Sequence, residues 1–260
     1  MTNIDFTKSE QYTLSIRLSA DGFSFSIHPP QKEAEVFFAS YPVNVSYSMT
    51  ANLKKMLQAT EELKYTYGQT NILIDTQRFT PVPFDLFEDE QTEQLFYQNF
   101  QRTDNETVLC NILGKSNIAL IFGMDKHTHQ LINESFPHAR IFACTSPLIE
   151  YFTCQSREAN NRRLYVLFHP NRMEVFALDK GKLLLINSFN SKHTSDHIYY
   201  LLYVWQQLGY SQEKDQLFLT GEVESKDALL AELKRFLRQV EFLPIQSTLP
   251  FDIQSLMTCE

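Results

Sequence analysis

A period-two pattern of apolar residues opens this chain, and the same pattern returns past its middle. Tyr12, Leu14, Ile16 and Leu18 alternate with Thr13, Ser15, Arg17 and Ser19. After the turn Ala20-Asp21-Gly22 the alternation resumes through Phe23, Phe25 and Ile27. Successive strand side chains point to opposite faces, so this reads as a β-hairpin. A third strand is expected from Glu35 to Ala39. From Leu164 the pattern restarts, with strands expected at Leu164–Phe168, Met173–Leu178 and Lys182–Phe189. The turns His169-Pro170-Asn171 and Asp179-Lys180-Gly181 separate them.

Each meander is followed by helix, strand, helix, strand. In the first half Leu53, Met56, Leu57, Thr60 and Leu63 recur at helical spacing, with Ser48 or Thr50 as the cap. Asn71–Asp75 reads as a short buried strand, Asp125 caps a helix through Ser135, and Arg140–Ala143 is a strand. Ser146, followed by Pro147, is expected to cap the next helix. In the second half Ser195 opens a helix that carries Ile198, Leu201, Leu202, Trp205 and Leu208 and stops at Gly209. A buried strand runs from Gln216 to Thr220 and ends in Gly221. Ser225 caps a last helix through Val240, and Val240 to Pro244 supplies a final strand.

The first half also holds an insertion at about 76–113, with an amphipathic helix over Glu88–Phe100. Thr107–Leu113 pairs with Asn117–Phe122 around Gly114-Lys115. The most polar internal stretch, Ser156 to Arg163, is the expected boundary between domains at 1–155 and 163–260. The fold class is α/β. Two lobes are expected, each a mixed sheet of a three-strand meander continued by parallel strands, with helices.

Composition narrows the function. The 260 residues carry a formal net charge of −8, which argues against a nucleic-acid binder and against a polybasic membrane anchor. Only seven residues are Gly, few for a fold that closes backbone amides on phosphate. The apolar runs at 118–123 and 198–205 fall far short of the roughly 18 residues that cross a bilayer. Met1 to Phe6 shows no basic region leading into an apolar one, so no signal peptide is read. Cys110, Cys144, Cys154 and Cys259 are scattered, as suits a reducing compartment. A soluble cytoplasmic protein is expected.

The run Leu164–Phe189, the helix to Gly209, and Thr220-Gly221-Glu222 after its strand resemble the second subdomain of the actin-like ATPase superfamily. The hairpin Leu14–Ile27 resembles the opening of the first. The shapes most similar are the actin-like adaptors of bacterial pilus and type II secretion machines, the pilus assembly protein PilM among them. The chain also looks like a member of an uncharacterised Bacteroidetes protein family, which implies fold more than activity. Active members of the superfamily place Asp-x-Gly near the end of the first strand of each lobe. The Asp organises a metal-bound water, and the Gly lets backbone N–H groups reach phosphate oxygens. Here Arg17 stands at the Asp position and Ser19 at the Gly position of the first hairpin. Leu167 and His169 stand there in the second, where Pro170 also removes a donor. What the resemblance leaves is the adenosine-side turn Thr220-Gly221-Glu222, where active relatives usually have two Gly.

The other constellations read plainly. His193 and His197, with Asp196 between them, have metal-like spacing but no third ligand nearby, and His127 and His129 point apart on a helix. The cysteines read as packing residues, with Cys144 considered as a nucleophile. Tyr199, Tyr200, Tyr203 and Trp205 read as core plus one partly exposed face suited to a protein partner. The expectation is a non-catalytic adaptor or scaffold with no cofactor. It would bind an unidentified protein partner through the interlobe cleft or a strand edge. The alternative is a divergent ATP-binding protein or phosphotransferase that holds Mg·ATP weakly near Gly221. A nuclease would need clustered carboxylates where Arg17 and Leu167 stand.

Overall fold

In the computed structural model residues 4–30, 36–243 and 249–259 are described. Contacts divide the chain into two units, one of Met1–Leu113 with Asn117–Pro147, the other of Gly114–Ser116 with Leu148–Glu260.

The first unit opens with the hairpin β1 (Thr13–Ser19) and β2 (Gly22–His28), continued antiparallel by β3 (Phe37–Tyr41). The helix α1 (Met49–Ala59) starts at Ser48, whose hydroxyl accepts from the Ala51 N–H at 3.2 Å. It leads to β4 (Gln69–Ile74), which lies parallel to β1. Next come β5 (Phe79–Pro83), α2 (Thr92–Asn99), β6 (Glu106–Leu113) and β7 (Ile118–Asp125), then α3 (Lys126–Ser135) and β8 (Arg140–Ala143). The main sheet has the order β3-β2-β1-β4-β8, and a second sheet, β5-β7-β6, shows that the insertion read at about 76–113 continues through β7 to Asp125, because β7 pairs with both β5 and β6. Leu14, Ile16 and Leu18 are fully buried, as their alternation requires. Ser15, Ser24, Ser26 and Asn71 on the opposite face are buried too. A sheet covered on both faces is the usual setting for parallel strands.

Asp125 receives the Thr128 N–H at 2.7 Å and the Thr50 hydroxyl at 3.0 Å, tying α3 to α1. Burial alone raises its carboxyl, but the bonds from Thr128 and Thr50 hold it below the ordinary carboxylate value. In the insertion the fully buried Phe96 packs on Val82 and Ile121.

The second unit repeats the order. After α4 (Thr145–Ser156) come β9 (Arg162–His169), β10 (Arg172–Asp179), β11 (Lys182–Asn190), α5 (Thr194–Gln207), β12 (Gln216–Gly221), α6 (Lys226–Leu233), β13 (Gln239–Phe242) and α7 (Phe251–Cys259). The sheet order is β11-β10-β9-β12-β13, with β12 parallel to both β9 and β13. One face packs Leu164, Val166, Val175 and Leu219 on Leu201 and Trp205 of α5 and Leu229 of α6. On the other face Tyr165 stacks with Phe152 of α4 at 4.3 Å and with Phe218 at 5.0 Å, and Phe152 meets Phe251 of α7.

Several boundaries differ from the sequence reading. The units divide at Pro147, not in the polar stretch 156–163, because α4 runs unbroken to Ser156 and buries Phe152 against β9. Ser146 lies inside α4 and bonds Asn111 at 2.7 Å rather than capping. The helix expected over 88–100 begins with a 3-10 turn at Asp89–Gln91, so α2 proper is shorter. The last read helix ends at Leu233, because the chain turns there to feed β13, with the Arg238 N–H bonded to the Gln212 carbonyl at 2.9 Å. The helix α7 had no counterpart in the reading. Glu35, Pro244 and the Cys259 side chain lie outside the described residues. Among the described residues no helix is long and apolar enough to cross a membrane.

His28, buried at the end of β2, meets the Ser26 hydroxyl at 2.7 Å. Burial lowers its pKa to about 4. The unfolded chain then binds a proton that the folded chain refuses, so stability is full above pH 6.5 and falls as pH drops toward 4. The loss from this group is about 3 kcal/mol. Urea denaturation of the wild type at pH 7 and pH 4.5 is expected to show it, and His28→Gln is expected to flatten that dependence.

Candidate functional site

The hairpin of each unit holds a buried acid near its turn, Asp75 from the end of β4 in the first and Glu174 of β10 itself in the second. In the first unit β4 runs parallel to β1, with Leu18 opposite Ile74, so the next residue, Asp75, arrives at the end of β1. Its N–H donates to the Leu18 carbonyl at 2.9 Å. Its carboxylate is 4% exposed and accepts from the Ser19 hydroxyl at 2.7 Å and from Arg17 Nη2 at 3.4 Å. Ser19 Oγ in turn accepts the Asp21 N–H at 3.2 Å. The two positions read from the motif, Arg17 and Ser19, therefore converge on one buried carboxylate. A guanidinium next to Asp75 supplies from within the chain the positive charge that a bound cation would bring.

In the second unit Leu167 is buried on β9, with Glu174 opposite it on β10 and Thr220 beside it on β12. Glu174 is only 1% exposed and lies between two basic groups, His169 Nε2 at 3.5 Å and Arg172 Nη2 at 3.6 Å. Neither carboxylate oxygen of Glu174 has a hydrogen-bond partner among the described residues. Pro170, at the turn of this hairpin, has no N–H to offer an anion.

Thr220 is buried and its hydroxyl has no partner among the described residues. Gly221 has φ +97°, and a Cβ there would collide with the Phe168 backbone, lying 2.9 Å from its nitrogen. Close approach of β9 thus accounts for the glycine by itself. Glu222 is exposed.

Asp75 and Glu174 were missed in the sequence. The signal available was a lone acid at the end of Asn71–Asp75 and another inside Met173–Leu178. Parallel pairing brings Asp75 to the first hairpin, and the β9–β10 register sets Glu174 opposite Leu167 within the second.

The remaining candidates separate. His197 is buried against the Phe168 ring at 4.8 Å, and burial lowers its pKa, while His193 is exposed at the start of α5. Among the described residues no three His, Cys, Asp or Glu side chains are grouped to hold a metal. Cys144 is buried and Cys110 half-buried, its thiol pushed up to about 11 by burial and then by Asp89. Cys154 is exposed, against the packing role read for it, because it lies on the outer side of α4. On α5, Trp205 is buried while Tyr199 and Tyr203 are 64% and 48% exposed.

The comparisons agree with this architecture. A Bacteroides thetaiotaomicron protein with an actin-like ATPase fold and unknown function is 47% identical, covers 99% of this chain and 100% of its own, and superposes with a TM-score of 0.92. The PilM–PilN type IV pilus biogenesis complex matches at 11% identity over 89% of this chain and 88% of that one, with a TM-score of 0.56. The chain thus has the actin-like ATPase fold. It belongs to the family described as protein of unknown function (DUF3822), which it matches over residues 1–240. No curated protein matches it.

Two outcomes are expected. Arg17→Ala lowers stability by about 3 kcal/mol, because it leaves the Asp75 charge buried without its guanidinium. Adding Asp75→Ala recovers much of that loss, a coupling read from urea denaturation of the four proteins. Gly221→Ala costs about 2–4 kcal/mol through strain and overpacking, whatever ligand is present. Thermal unfolding of the ligand-free protein checks it.

Proposed function

We propose that this chain is a non-catalytic actin-like adaptor or scaffold that binds a protein partner and does not turn over ATP. One observation carries the reading. At the end of β1, where active members of the superfamily hold an acid that organises metal-bound water, Arg17 is paired with the buried Asp75. A triphosphate brings about four negative charges and needs Mg²⁺, carboxylates to hold it and aligned backbone donors. Here the Asp75 carboxylate is already engaged by Ser19 and Arg17. In the second hairpin the corresponding strand position is the apolar Leu167, and Pro170 removes a donor from the turn. Uncompensated phosphate desolvation then opposes binding. The solved PilM–PilN complex is an analogy at the level of the fold, in which an actin-like protein is held with another protein.

A second reading, a divergent ATP-binding protein or phosphotransferase, is favoured by Thr220, whose buried hydroxyl next to Gly221 and Glu222 has no partner among the described residues. It would hold Mg·ATP on that turn.

A single titration separates the two. Thermal unfolding followed while Mg·ATP is raised to millimolar concentration is expected to give an unchanged midpoint. Binding would stabilise by about 2.7 kcal/mol at a hundredfold excess over Kd. A midpoint that climbs with nucleotide overturns the adaptor reading in favour of the second one.

A further inference from the structure

The loop between β3 and α1 holds apolar side chains out in water, and it is built to do so. Asn52, buried on α1, accepts the Asn44 N–H at 2.9 Å through its side-chain oxygen. Its amide nitrogen donates to the carbonyls of Asn44, Tyr47 and Ser48 at 3.0, 3.3 and 3.0 Å. The Asn44 side chain accepts the Ser46 N–H at 2.9 Å, and the Tyr47 N–H closes the turn onto the Asn44 carbonyl at 3.0 Å. One buried amide thus ties down residues 44–48. At the tip Val45 is 90% exposed and Tyr47 is 47% exposed. The exposure is imposed by a hydrogen-bonded frame rather than by slack chain.

Behind this tip lies a pocket of about 230 Å³, lined by Ser19, Phe23, Val43, Val45, Tyr47 and Met49. Among the described residues that line it, none is charged. The volume is below the ~300–1,000 Å³ of sites that enclose a small molecule. It suits one side chain inserted from outside. The wall at Ser19 is the end of β1, next to the β1–β2 turn.

Charge selects the occupant. The protein is acidic, at −8 overall, yet residues 36–60 contain no Asp or Glu. That segment carries Lys54 and Lys55, both exposed, and Lys55 Nζ stands 3.7 Å from the Tyr47 ring centroid at the pocket rim. A lysine held on an aromatic face beside an apolar hole presents a fixed positive charge next to a hydrophobic anchor point.

We propose that this pocket is the docking point for an acidic peptide segment of a partner protein. The segment would insert one aliphatic or aromatic side chain between Val45 and Phe23 and set a neighbouring carboxylate against Lys55. This rests on the adaptor reading and names its surface and the chemistry of its partner. The preformed loop lowers the ordering cost of binding.

The test uses the full chain and a random peptide library displayed on phage. Selected peptides are resynthesised and titrated against the wild type, Val45→Asp, Lys55→Glu and the double variant Tyr199→Ser/Tyr203→Ser. The expected consensus is a Leu, Ile, Met or Phe flanked by Asp or Glu. Affinity is expected to fall roughly tenfold or more in Val45→Asp, the size of an anchor residue's contribution. Lys55→Glu weakens binding and removes its salt dependence. Val45 is so exposed that Val45→Asp keeps the wild-type melting point, which the same samples report. An empty selection, a basic or uncharged consensus, or affinity unmoved by Val45→Asp overturns the proposal. So does a dimer in sedimentation velocity that Val45→Asp dissolves, since a second copy would then be the occupant. Peptides lost only in the tyrosine variant overturn the pocket and leave the adaptor reading standing. A Mg·ATP-dependent melting shift with pocket binding intact does the reverse.

Discussion

A buried acid beside a hairpin turn must be neutralised, and in this protein the chain does it from within. Asp75 and Glu174 each lie almost fully inside their unit, placed there by strand pairing next to a β-meander. A carboxylate removed from water without compensation is costly enough to dominate its surroundings. In the first unit Arg17 and Ser19 supply the compensation at 3.4 and 2.7 Å. In the second, Arg172 and His169 flank Glu174 at 3.6 and 3.5 Å. Asp75 is thus engaged by Ser19 and Arg17, whereas Glu174, flanked by two basic groups, makes no hydrogen bond among the described residues.

The backbone of these turns is also occupied. In a phosphate loop, bare backbone donors face a ligand. In this chain the Asp21 N–H goes to Ser19, Pro170 has no N–H, and the Gly221 backbone lies against Phe168. The surface that remains open near the first turn is apolar, with Lys55 at its rim, and it is braced by a buried asparagine instead of a charged cluster.

Much of the fold was legible because periodicity survives in both halves. The alternation of Leu14, Ile16 and Leu18 became a buried strand face, and Leu201 and Trp205 became the core side of α5. Caps at Ser48, Asp125 and Ser225 hold where their side-chain chemistry placed them. Legibility failed at ends and boundaries. The polar run 156–163 looked like a linker, yet α4 enters it and the Arg162 N–H is bonded to Asp215 at 2.8 Å. A polar composition does not reveal that its groups are satisfied by a distant loop. Likewise Leu233–Val240 keeps a helical look, but the chain leaves the helix because β13 must reach β12.

The sequence by itself determined the two meanders and the helices behind them, since these depend on local pattern and residue identity. Only the tertiary structure decided that Arg17 faces Asp75, that Glu174 lies opposite Leu167, and that Gly221 is required by the Phe168 backbone. The reason is geometric. Strand pairing, parallel for Asp75 and Gly221 and antiparallel for Glu174, sets a register that no local pattern encodes, and the charge of a group matters only once its neighbours are set.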